Sequence, residues 1–72
     1  MKAFKNRKGN IMAVLKTSDG RYTVYIRRVS SNDFVRYTPN PYPLRDSRFE
    51  AETDLVVLVA ISPDKSWRPE TI

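Results

Sequence analysis

Ile11-Met12-Ala13-Val14-Leu15-Lys16-Thr17-Ser18-Asp19-Gly20-Arg21-Tyr22-Thr23-Val24-Tyr25-Ile26-Arg27 is two apolar runs joined by a turn signal. In each run the apolar residues favour a period of two, which argues strand. Asp-Gly between such runs marks a hairpin, because both central positions of a two-residue turn want positive φ. With Asp19-Gly20 as that loop, Ser18 faces Arg21, Leu15 faces Val24 and Ala13 faces Ile26. Ile11, Ala13, Leu15, Tyr22, Val24 and Ile26 then share the expected core face. Met12, Val14, Lys16, Arg21, Thr23, Tyr25 and Arg27 share the wet one. A loop of three or four residues would shift these pairs.

Outward from the hairpin, residues 1–9 are polar and basic and read as a flexible arm. Ser30-Ser31-Asn32-Asp33 is a second turn cluster, and Phe34–Thr38 a short strand. Three prolines in Pro39–Pro43 forbid ladder bonds there. Leu44–Thr53 reads as a short helix with Phe49 inward and Arg48 and Glu52 paired at i,i+4. Leu55–Ile61 is apolar on both sides and β-branched, hence a covered strand. Residues 63–72 read as an irregular tail, with Trp67 either capping the core or anchoring a partner. The fold expected is α+β: one small domain over 10–62, a small antiparallel sheet of about four strands with one short helix, a flexible basic N-terminal arm and an irregular C-terminal tail. A five-stranded small barrel is the alternative.

Charge divides the chain unevenly. Residues 1–36 hold nine Lys or Arg against two acids, whereas residues 37–72 hold four against six, leaving a net +5 over 72 residues. A strongly basic half points to a negatively charged partner, nucleic acid or the machinery that handles it. With no Cys and no His, disulfides and Cys/His zinc sites are excluded. The longest apolar run, Leu55–Ile61, is too short to cross a bilayer, and no secretion signal is read. Asp46, Glu50, Glu52 and Asp54 read as a solvated helix face rather than an acid–base pair, since neither a phosphate loop nor a nucleophile constellation accompanies them. The chemistry expected is binding without catalysis and without a cofactor.

The segment best suited to docking is Lys5, Arg7, Lys8, Ile11, Met12 and Val14, joined on the wet face by Arg21, Tyr25 and Arg27. Cations would steer encounter, and apolar side chains beside an open strand edge would hold the complex. In Lys5-Asn6-Arg7-Lys8-Gly9-Asn10-Ile11-Met12-Ala13-Val14, in its length and in its arm-then-hairpin layout, the chain resembles the small transcription regulators of lytic Xanthomonas bacteriophages. That resemblance implies binding to bacterial RNA polymerase near the β′ amino-terminal region and the β flap; a monomer in the host cytoplasm is expected. It implies displacement of the promoter-specificity factor, inhibition of initiation, and antitermination. A basic single-stranded nucleic-acid-binding module is the alternative. Inhibition of another host enzyme is a third class, which the sequence does not disfavour.

Overall fold

The computed structural model describes residues 2–71; Met1 and Ile72, the outermost residues of the expected arm and tail, lie outside them. Five strands and one helix follow in order: β1 Lys2–Lys5, β2 Ile11–Lys16, β3 Tyr22–Arg27, β4 Val35–Arg36, α1 Arg48–Ile61 and β5 Arg68–Thr71. The strands form one antiparallel sheet in the order β4-β3-β2-β1-β5. Helix α1 packs across β2 and β3 on one side. The α+β expectation holds, with five strands where about four were expected, in an open sheet rather than a barrel.

The β2–β3 turn is one residue longer than the two-residue reading. Thr17 N donates to Arg21 O at 2.7 Å, and Gly20 N to Thr17 O at 3.0 Å, so Ser18-Asp19-Gly20 is the loop. Gly20 takes φ of 86°, the left-handed conformation that closes a three-residue hairpin at little cost only for glycine. The Thr17 hydroxyl also donates to the Asp19 carboxylate, and Arg21 N donates back to Thr17 Oγ1 at 3.1 Å. Met12 therefore faces Ile26, Val14 faces Val24, and Ala13 faces Tyr25. A shift of one residue turns every β2 side chain to the opposite face. Met12 and Val14, expected on the wet face, lie under the helix at 2% and 0% exposure. Ile11, Ala13 and Leu15 move to the other side, while Tyr22, Val24 and Ile26 point inward as expected.

Helix α1 absorbs the segment expected to be a strand. Ser47 caps it: its hydroxyl accepts from Glu50 N at 3.2 Å and donates to Glu50 Oε1 at 3.1 Å. This Ser-x-x-Glu box satisfies an orphan donor and starts the helix. Ala51, Asp54, Leu55 and Leu58 recur at helical spacing and are its buried stripe. Packing against β2 and β3 outweighs the strand preference of Val56, Val57 and Val59. The helix stops at Ser62, before Pro63. Phe49 points outward at 77% exposure rather than inward. Arg48 does not pair with Glu52; it donates to Val14 O at 3.1 Å and lies over the Tyr22 ring at 5.1 Å.

Both expected loose ends are strands. β1 sits inside the sheet between β2 and β5, with Ala3 fully buried and Phe4 packed on the core. β5 is an edge strand, where Pro69 lacks only a donor that an edge can spare. Just before it, Trp67 folds into the core, as one of its two readings held. Segment 37–47 is pinned by two backbone bonds between Tyr22 and Arg45, at 2.8 and 2.9 Å. The Arg45 guanidinium grips Asp54 at 2.8 and 3.1 Å, and that bond raises the Arg45 pKa above its ordinary value.

Leu55 is fully buried at the centre of the helix–sheet contact. Leu55→Ala is expected to cost about 2–5 kcal/mol in urea unfolding, whereas Phe49→Ala, on the outer side of the same helix, is expected to stay within about 0.5 kcal/mol.

Candidate functional site

The helix covers one face of the sheet, and the other bears two cross-strand rows. The first runs Arg36–Tyr25–Ala13–Ala3–Glu70 over five strands. The second runs Arg27–Ile11–Lys5–Arg68 over four. Residues directly opposite in a ladder share a face, and neighbouring strands lie about 4.8 Å apart. Arg27 and Arg68 are therefore on the order of 14 Å apart by backbone spacing, with Lys5 between them. Phe34 completes the second row beyond Arg27, whose guanidinium lies 5.5 Å from the ring centre. Ala3 and Ala13 are fully buried within this face, and Tyr25, Arg27 and Phe34 stand half-buried around them.

Charge is segregated between the two sides. Among the described residues the ion pairs are Arg45–Asp54 and a long, exposed Arg21–Asp46 contact at 3.9 Å. Lys5, Arg27, Arg36 and Arg68 are in neither, and Glu70 at the β5 edge is the carboxylate in these two rows. Asp46, Glu50, Glu52 and Asp54 belong to the helix and its entry.

Of the residues expected to bind a partner, Lys5, Tyr25 and Arg27 come together on this face. Ile11 is there too, but at 6% exposure it is floor beneath Phe34 rather than a contact. Met12 and Val14 are core and cannot touch a partner while the protein is folded. Arg21 leans toward Asp46, away from the rows. Arg7 and Lys8 are exposed in the β1–β2 turn, at the end of the sheet. Sequence reasoning missed Phe34 and Arg68 as members of the site. For Arg68 the signal was the alternation Trp67-Arg68-Pro69-Glu70, hidden by its proline.

Beside the second row lies a cleft of about 590 Å³ between the β1–β2 turn and the α1–β5 loop, lined by Arg7, Lys8, Lys65, Ser66 and Arg68 around Asp64. Asp64 ties its walls together. It accepts from Ser66 N at 2.8 Å, Ser66 Oγ at 2.6 Å and Asn6 Nδ2 at 3.0 Å. Arg7 N donates to Ser66 Oγ at 2.9 Å across the same gap. The hydrogen bonds from Ser66, with help from Asn6 and the nearby Lys8 charge, hold the Asp64 pKa below the usual carboxylate value. Arg68 Nη1 is held by the carbonyls of Lys65 and Trp67 at 3.1 and 2.9 Å.

No group of three or more His, Cys, Asp or Glu among the described residues could hold a metal ion, and no described helix is long and apolar enough to cross a membrane. The chain matches no family model, and neither a curated protein nor a solved structure matches it.

Because the Asp64 pKa lies lower folded than unfolded, its bonds contribute stability above the ordinary carboxylate range, near 3.8, and that contribution is lost as pH falls below it. Asp64→Asn is expected to flatten this acid limb in denaturation curves recorded across that window, and to lower stability at neutral pH.

Proposed function

We propose that this protein is a non-enzymatic regulator that binds bacterial RNA polymerase, inhibits initiation that depends on the specificity factor, and lets elongating enzyme pass terminators. One observation carries the reading: Lys5, Arg27 and Arg36 stand on an open sheet face with no carboxylate among the described residues paired to them. Such a face favours an acidic macromolecular surface and gives no support to a reaction. The resemblance of the amino-terminal segment to phage regulators supplies the polymerase as that surface, with the β′ amino-terminal region and the β flap as its place. The protein acts there by occupancy, as a monomer in the host cytoplasm.

The docking side chains differ from those expected of the hairpin's other face. Arg27 and Arg36 steer encounter, and Tyr25 with Phe34 supplies the apolar grip that Met12 and Val14 cannot. Both cations lie on β3 and β4, so the contact centres on that side of the sheet.

The test is binding to purified core polymerase, followed by run-off transcription with and without the specificity factor. Arg27→Glu with Arg36→Glu is expected to slow association on the order of tenfold in low salt and far less in high salt. Equal loss at every salt concentration counts against steering. Unimpaired initiation at saturating protein would sink the reading.

A further inference from the structure

We propose that the cleft between the β1–β2 turn and the α1–β5 loop binds a phosphodiester of single-stranded nucleic acid, with Lys5 on the adjoining sheet face meeting the next phosphate. The cleft itself lies apart from the β3–β4 contact assigned to polymerase and does not depend on that assignment, although the line of charge leaving it, through Lys5 to Arg27 and Tyr25, runs onto the same open face.

The cleft carries four cations, Arg7, Lys8, Lys65 and Arg68, against one carboxylate. Asp64 offsets one of them and leaves an excess of three positive charges, and its oxygens are bonded to Ser66 and Asn6 rather than ion-paired with any of the four. Its role is architectural: with the Arg7–Ser66 bond it fastens two cation-bearing loops at a fixed separation. Cations held in place lose less entropy on meeting an anion than cations on mobile loops. Arg68 is held in this way, with one guanidinium nitrogen on two carbonyls and its other N–H donors available to a phosphate. Lys65 keeps a donor on Ala60 O at 3.0 Å, at the end of α1, and has two left.

The line of charge selects a polymer over a lone anion. Arg68 pairs with Lys5 across β1 and β5, and Lys5 pairs with Ile11, which pairs with Arg27. Cations therefore continue from the cleft across the open face. A single phosphate would leave all but the first of them without a partner. The half-buried Tyr25 ring on the same face gives an unpaired base a surface to stack on beside the line of cations, the combination that single-strand binders use. A duplex keeps its bases stacked inside and gains nothing from that ring.

The experiment is fluorescence anisotropy of a labelled oligothymidylate at several salt concentrations. The intact protein is compared with Arg7→Gln/Lys8→Gln, with Arg68→Gln, and with Arg36→Gln at the far end of the sheet. The first two variants change exposed side chains, and circular dichroism confirms that they fold. Arg7→Gln/Lys8→Gln is expected to bind about tenfold more weakly at low salt and to reduce the log–log salt slope by about 1.4, from about 0.7 per lost contact. Arg68→Gln is expected to reduce it by about 0.7, and Arg36→Gln to change little. Unchanged affinity in folded cleft variants overturns the proposal, as does an equal or larger loss in Arg36→Gln. Equal binding of a duplex of the same length overturns the single-strand assignment. Displacement by inorganic phosphate as effective, per phosphate, as by unlabelled oligonucleotide reduces the cleft to a small-anion site and overturns it as well.

Discussion

The fold depends on a left-handed glycine at the fourth position of a turn, used twice. Gly20 closes Thr17–Arg21, and Gly9, with φ of 92°, closes Asn6–Asn10 by the same pair of backbone bonds. These are the chain's two glycines. Each turn sets the pairing register of the strands on either side, and register decides which face of β2 meets the helix. With Met12 and Val14 beneath α1, the side left for solvent carries Ile11, Ala13 and Leu15 among cations. A two-residue turn would have reversed that choice and put Met12 and Val14 outside.

Segregation of charge follows from the same geometry. Carboxylates gather on α1 and its entry, where Asp54 holds Arg45 and Glu50 completes the cap. The sheet side keeps an excess of cations, with Glu70 as the one carboxylate of its two rows, so the molecule repels positively charged neighbours on that face and attracts polyanions there. Asp64 also sits among cations, where hydrogen bonds from Ser66 and Asn6 hold its carboxylate.

Much of the fold was legible in the sequence, and its losses have definite causes. The β2–β3 hairpin, the inward face of β3, the turn at Ser30–Asp33 and the strand around Val35 all follow from alternation and turn chemistry. The β2 register did not, because Asp-Gly serves both a two-residue turn and the last two places of a three-residue one. The first hairpin went unread although Asn6-x-x-Gly9 parallels Thr17-x-x-Gly20, since a run of cations resembles a solvated arm. Helix α1 was cut short by its valines, while Ser47-x-x-Glu50 announced its start. Of the site, Lys5, Tyr25 and Arg27 were legible as side chains of one basic surface. Arg68 and Phe34 join it through long-range strand pairing and a cation–π contact, which no local pattern encodes.

β1 and β5 lie side by side although more than sixty positions of chain separate them. Pairing so distant in sequence carries a loop-closure cost that contacts between neighbouring strands do not. The cleft is built from the turn that follows one of these strands and the loop that precedes the other, so it does not exist until they have zipped together. Any anion seated there is thereby a clasp on the whole molecule, and its binding energy is returned as resistance of the β1–β5 seam to opening.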